Sequence, residues 1–289
     1  MEYYASLFVL VCIYSVLTAG LDLLVGYTLL LSFGHAAFVG IGAYAAALTA
    51  TKLGFDFLPA LGFSMAVTAA CGALLALPLL RLRGEYFLLA TFGLSVVAST
   101  VFDNWVDLTN GPFGVRAIPR PSVLGYEFNS VWKILALSTA LLALCLFVKW
   151  RLVRSPFGVT LRAIREDETV AQSLGKNVYQ VRLVAFAVAS AFTAVGGTLL
   201  SYHLRFIDPT LFQFQFTILI WAALFIGGCA SISSNVIGPA ILVLFPEALR
   251  FVGLSGSYAA HIQSALYGAL LILLTIFRPQ GIAGTYRFR

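Results

Sequence analysis

Apolar residues in this chain come in long unbroken runs of about 17–25 residues, separated by short polar, glycine-bearing or proline-bearing punctuation. That is the length a helix needs to cross a hydrocarbon core of about 30 Å. A membrane barrel would instead alternate apolar and polar positions over segments of about 10 residues. In lipid, moreover, only a helix closes its backbone hydrogen bonds within a single run. The pattern therefore predicts nine spans, near 5–25, 35–51, 59–80, 86–103, 131–149, 183–202, 215–232, 236–252 and 258–277. The fold class is an all-α polytopic membrane protein with about nine transmembrane helices, and the boundaries allow eight to ten. The stretch joining the first two runs, residues 26–34, is apolar enough to stay at membrane depth. It predicts a broken or re-entrant region near residues 26–42, which lipid tolerates only where protein covers the backbone.

Composition narrows the class further. Of 289 residues, 60% are hydrophobic and 10% are charged, against about 45–50% and about 25% in soluble domains. A water-soluble protein of this size could not hide so much apolar surface in one or two cores. The chain reads as one transmembrane domain over residues 1–289. Cys12, Cys71, Cys145 and Cys229 all fall in apolar runs and read as small hydrophobes. Met1-Glu2-Tyr3 has no basic leader, so the first run is expected to be retained as a span.

Basic residues set the orientation. The segment from Lys149 to Arg182 carries Lys149, Arg151, Arg154, Arg162, Arg165, Lys176 and Arg182. With alternating spans, Arg81, Arg83, Arg278, Arg287 and Arg289 fall on the same side, making twelve of the eighteen Lys and Arg. That side is expected to be cytoplasmic, with the amino terminus outside and the carboxyl terminus inside. The net charge of +6 follows from this orientation and calls for no nucleic acid. Two loops are long. The outer one, about 104–130, is rich in turn formers such as Asn110-Gly111-Pro112 and reads either as an ordered connector or as a docking surface.

The inner loop, about 150–182, carries more information. Ser155-Pro156 is a helix-start signal, and Leu161, Ile164, Val170, Ala171 and Leu174 recur near helical spacing. Glu166-Asp167-Glu168 should split the segment into two short helices, the second starting near Glu168 and closing at Gly175. A lipid-lying helix would set bulky apolar residues against lysines. Here Arg162, Arg165 and three acids mix with small residues, which suits a polar protein groove; charge alone also fits an ordinary positive-inside loop.

The run from Ser155-Pro156-Phe157-Gly158 through Leu161-Arg162-Ala163-Ile164-Arg165-Glu166-Asp167-Glu168 to Ser173-Leu174-Gly175 resembles the cytoplasmic loop of LivM-type permeases of bacterial branched-chain amino acid ABC transporters. Ser32-Phe33-Gly34-His35 with Gly40-Ile41-Gly42-Ala43-Tyr44, Leu82-Arg83-Gly84-Glu85-Tyr86-Phe87, Leu108-Thr109-Asn110-Gly111-Pro112-Phe113-Gly114 and Arg278-Pro279-Gln280-Gly281 are similar to the same family, in the same order. The resemblance implies a permease subunit in the bacterial inner membrane that moves branched-chain or related hydrophobic amino acids inward. It implies as partners a second, related permease, two cytoplasmic ATPases and a periplasmic or lipid-anchored solute-binding protein. ATP and Mg would be bound by the ATPases and no cofactor by this chain. Arg162, Arg165, Glu166, Asp167, Glu168, Leu174 and Gly175 become the expected coupling contacts to the ATPases.

The substrate path is expected near Asp22, Ser32, Gly34, His35, Phe38, Gly40 and Gly42. Asp22 is a carboxylate in mid-span, costing about 2.5–3.5 kcal/mol on insertion scales. It could serve as a proton relay. The resemblance, in which an asparagine usually holds this place, favours instead a hydrogen bond to a neighbouring broken helix. His35, without further ligands nearby, reads as a packing group at a helix start whose N–H groups could meet a carboxylate. The glycines and alanines from Gly40 to Ala47, with Gly196-Gly197 and Gly227-Gly228, let helices approach closely.

No phosphate-loop, H-E-x-x-H or G-x-S-x-G motif occurs, so the chain is expected to hydrolyse neither ATP nor other substrates. Two other readings remain at this point: an ion- or proton-coupled carrier acting alone through Asp22, and a permease of the same family for urea, amides or aromatic acids.

Overall fold

The computed structural model describes residues 2–82, 84–123, 125–251, 268 and 280–285, with the side chains of 248–251 excepted. Eight of the nine predicted spans lie on helices there, and the ninth, 258–277, lies outside the described residues. The long helices are α1 (Glu2–Thr28), α2 (His35–Lys52), α3 (Phe57–Leu79), α4 (Glu85–Asn104), α6 (Val131–Arg154), α9 (Val178–Leu204), α10 (Phe214–Gly227) and α11 (Ser234–Phe251). Five of them, α1, α3, α4, α6 and α9, are long and apolar enough to cross a membrane. A one-turn α5 (Val106–Thr109), the two short helices α7 (Pro156–Glu166) and α8 (Glu168–Ser173), and two 3-10 turns at Gly111–Phe113 and Pro209–Phe212 are also described.

Three boundaries differ from the sequence reading. The break after the first helix is confined to residues 29–34, because α1 runs on through Gly26 to Thr28 and α2 is continuous through Gly40 and Gly42. Helix α6 continues to Arg154, so Lys149 is fully buried in the bundle and is no part of the loop. The predicted span 215–232 stops at Gly227. Gly228 has φ +99°, where an L side chain would be strained, and residues 228–233 leave the helix. The freed carbonyls of Ile226, Gly227 and Cys229 accept instead from the N–H groups of Ile282, Ala283 and Thr285. The turn segment 280–285 thus completes the backbone pairing that lipid demands.

Helices α1, α2 and α9 form the centre, buried along most of their length. Small residues make this packing close. A side chain on Gly42 would stand 2.6 Å from the Ala194 Cα, and one on Gly197 would stand 2.5 Å from the Val39 carbonyl oxygen. At that distance backbones touch, as small residues allow between helices in lipid. Around this centre, α4 and α6 turn Leu89, Val96, Val97, Leu144 and Phe147 outward. Such faces are natural against lipid or a second apolar subunit.

The two ends of the bundle are unlike. One gathers the ends of α1, α3 and α6, the helices α7 and α8, and the start of α9, with Arg81, Arg151, Arg154, Arg162, Arg165, Lys176 and Arg182. The other holds the 104–130 loop, whose described residues are ordered and tied to the bundle. Its short hairpin β1–β2 (Ser122–Val123 and Tyr126–Glu127) is joined by a bridge from Val115 to Ile207, and Arg205 Nε donates to the Ile118 carbonyl at 3.2 Å. The Ser6 hydroxyl and His203 Nε2 meet near this end at 3.1 Å.

Candidate functional site

Residues 29–34 run back into the bundle. The His35 ring, at the start of α2, lies 3.1 Å from the Leu17 carbonyl oxygen. Leu17 precedes the end of α1 by three helical turns, so the non-helical strip climbs about 16 Å before α2 begins. Backbone left bare at that depth needs protein partners, and four neighbours supply them. The Phe33 N–H donates to Thr91 Oγ1 at 3.0 Å, and the Phe33 carbonyl accepts from Ser95 Oγ at 2.8 Å. The Ser32 carbonyl accepts from Trp221 Nε1 at 3.0 Å, and the Ala36 N–H donates to Thr217 Oγ1 at 3.0 Å. Helices α4 and α10 thus hold the strip from both sides. The rings of Phe33, Phe92, Phe214 and Trp221 pack edge to face over it, with centroids 4.6–5.5 Å apart. Among the described residues the amides of Leu31 and Ser32 have no acceptor, and Leu31 is partly exposed.

The expected path residues divide accordingly. Ser32, Gly34 and His35 belong to the strip and its junction with α2; the Gly34 N–H turns onto Ser32 Oγ at 3.3 Å. His35 also meets Thr193 Oγ1 at 3.3 Å, and no group of metal-binding side chains occurs among the described residues. Phe38, Gly40 and Gly42 face the packed interior: Phe38 lies edge-on to Phe186, Gly40 fits against the Phe102 ring and Gly42 against Ala194.

Asp22 belongs to a second cluster. Its Oδ2 is 2.7 Å from Lys149 Nζ, and its Oδ1 accepts the Ala230 N–H at 2.7 Å; Lys149 also donates to the Ala19 carbonyl at 2.9 Å. Both side chains are buried. One carboxylate therefore joins α1, α6 and the break after α10. Gly26 is the residue that makes room, because a Cβ there would strike the Asp22 carboxylate and stand 2.7 Å from the Ala230 nitrogen. The hydrogen bond to a broken helix is as expected. The lysine was missed, although a depth comparison could have found it: Asp22 lies six residues from the end of α1, and Lys149 five from the end of α6. Thr91, Ser95, Thr217 and Trp221 were missed too, since nothing in their local sequence says which backbone groups they serve.

The loop at the basic end folds as its residues predict. Ser155 Oγ accepts the Gly158 N–H, Asp167 Oδ1 accepts from the amides of Thr169 and Val170, and Asn177 Oδ1 accepts from Gln180. Gly175, at φ +76°, closes α8 with its N–H on the Gln172 carbonyl and that of Lys176 on Ala171, a Schellman turn. Of the expected coupling residues, Asp167 caps α8 and the other six split into two groups. Arg165 reaches inward to the Gly26 carbonyl at 2.8 Å, and Glu168 pairs with Arg182 at 2.9 Å. Arg162, Glu166, Leu174 and Gly175 face outward, together with the exposed Val159 and Val170.

A helical bundle with an apolar girdle, an interior non-helical strip and a two-helix loop at its basic end is a multi-pass membrane protein of permease type. The chain belongs to the branched-chain amino acid transport system permease component family, whose profile matches residues 3–275. It is 31% identical to the high-affinity branched-chain amino acid transport system permease protein LivM of Salmonella typhimurium, over 93% of this chain and 67% of that protein. It is also 31% identical to the Escherichia coli LivM, over 94% and 68%. The Escherichia coli permease protein LivH is 29% identical, over 94% of this chain and 91% of its own length. No solved structure matches the chain.

Proposed function

We propose that the chain is the membrane-spanning permease subunit of an ABC importer in a bacterial inner membrane, moving branched-chain or related hydrophobic amino acids inward. The relatives' names supply the substrate class, and the basic end is taken as cytoplasmic on the positive-inside rule. A second permease would complete the path, as the parallel likeness to LivM and LivH suggests. A solute-binding protein would deliver substrate to the opposite end, and two ATPases would grip the basic end.

The observation that carries this reading is the construction of α7–α8. Arg165 and Glu168 tie the segment to α1 and α9, while Val159, Val170 and Leu174 stand exposed beside Arg162 and Glu166. Leu174 is 72% exposed. A rigidly tied element with an outward apolar face transmits a push, whereas a loose connector would absorb it. A carrier acting alone through Asp22 is less well supported, because both carboxylate oxygens are already held by Lys149 and Ala230.

The test is Leu174→Glu with Val170→Glu, expressed with the neighbouring transporter genes. Expected is loss of ATPase co-purification and of substrate-stimulated ATP hydrolysis, with membrane insertion and thermal stability unchanged. Uptake by the reconstituted chain without any ATPase would refute the proposal.

A further inference from the structure

A cavity of about 730 Å³ opens at the basic end between the strip, the α3–α4 link, α8 and the start of α9. That volume is in the range of small-molecule sites. Its apolar lining includes Leu30 and Leu31 from the strip and Phe87 and Leu88 from α4. The opposite wall carries Glu168 and Arg182, which pair at 2.9 Å, while the buried Arg182 Nε has no hydrogen-bond partner among the described residues. The other two charged residues among the described lining differ. Arg81 and Glu85 both line the cavity, carry opposite charge, and pair neither with each other nor with any other described residue. The leucine of the strip that lines this space, Leu31, has an N–H without an acceptor among the described residues.

Among the described residues, an unpaired cation, an unpaired anion and an unpaired peptide donor beside a leucine wall fit a zwitterion with an aliphatic side chain. We propose that this cavity binds such an amino acid at the basic end of the path, its carboxylate held by Arg81 and the Leu31 N–H and its ammonium by Glu85. The guanidinium fork suits a carboxylate. The aliphatic side chain would lie against Leu30, Phe87 and Leu88. Leu88 is one turn below Thr91, whose hydroxyl bonds both the Leu88 carbonyl and the strip at Phe33, so the cavity adjoins the clamped backbone directly. Because Glu168 of α8 forms one wall, an occupant would touch the element that we propose to meet the ATPase. The inference rests on the permease reading and adds the place and groups of recognition.

The test is binding of radiolabelled leucine to the chain, co-expressed with its partners and purified into phosphatidylcholine nanodiscs. Arg81→Gln and Glu85→Gln should each weaken leucine at least tenfold. They should do so selectively: Glu85→Gln should spare 4-methyl-2-oxopentanoate, which has the carboxylate and no ammonium, and Arg81→Gln should spare 3-methylbutylamine, which has only the ammonium. Unchanged leucine binding in both variants would overturn the proposal, as would a loss that ignores which charge the probe carries. Leucine binding abolished by phosphatidylethanolamine nanodiscs would assign the cavity to a lipid headgroup and also overturn it. Transport of leucine by the whole assembly with no effect of either variant would sink this inference and leave the permease reading intact. Selective binding of a different zwitterion, with leucine neither bound nor carried, would uphold the cavity and overturn the branched-chain substrate.

Discussion

Replacing Asp22 by asparagine should cost the fold much more than loss of one surface charge would, and a second change at Lys149 should restore it. In the native bundle the Asp22–Lys149 pair is buried, with Nζ 2.7 Å from one carboxylate oxygen and 2.9 Å from the Ala19 carbonyl. Asparagine keeps the oxygen that accepts from Ala230, so the break after α10 stays attached. It leaves the lysine ammonium buried with a neutral partner. Removing one member of such a pair costs about 3–5 kcal/mol, mostly as the penalty of the charge left behind. Lys149→Met should cost a similar amount by stranding the carboxylate. The double variant Asp22→Asn with Lys149→Met buries no charge and retains the Ala230 hydrogen bond. Replacing a buried pair by neutral groups is commonly neutral or stabilising, so the double variant should unfold near the native point. A double-mutant cycle, followed as reversible unfolding in a graded sodium dodecyl sulfate titration, should give a coupling of at least about 3 kcal/mol. Single losses that add to within about 0.5 kcal/mol in the double variant would refute the reasoning.

Two further outcomes follow from the same geometry. Gly26→Ala puts a methyl group against the Asp22 carboxylate and the Ala230 nitrogen, so it should destabilise by about 1–3 kcal/mol in the same titration; the effect should shrink when Asp22 is also replaced by alanine. Thr91→Val keeps the shape but removes the acceptor of the Phe33 N–H, and should cost about 1–3 kcal/mol and speed hydrogen exchange at Phe33, whereas Thr91→Ser should preserve both.

The long helices were legible because each is a continuous apolar run, and the capping chemistry of the basic loop was legible because caps are local. Ser155 and Gly175 stand where their residue types predict, and Asp167 and Asn177 cap the helices that follow them; each of the four acts on amides or carbonyls within five residues. The limits of the break were less readable. Gly26 suggests a helix end in sequence, yet it is helical, and it is glycine because Asp22 and Ala230 occupy the space where a side chain would go.

Composition, run length and local cap signals by themselves determined a helical membrane protein, the position of the long described helices, and a polar loop of two short helices on the more basic side. Each of these depends on interactions within a few residues, or on an average over a whole run. What only the tertiary structure decided is which polar groups meet. The Asp22–Lys149 pair, the hold of Thr91, Ser95, Thr217 and Trp221 on the 29–34 strip, and the pairing of residues 282–285 with the 226–229 backbone all join segments far apart in the chain. Inside a bundle packed to backbone contact, a buried polar group must find its partner wherever the fold brings one, and no local pattern records that choice.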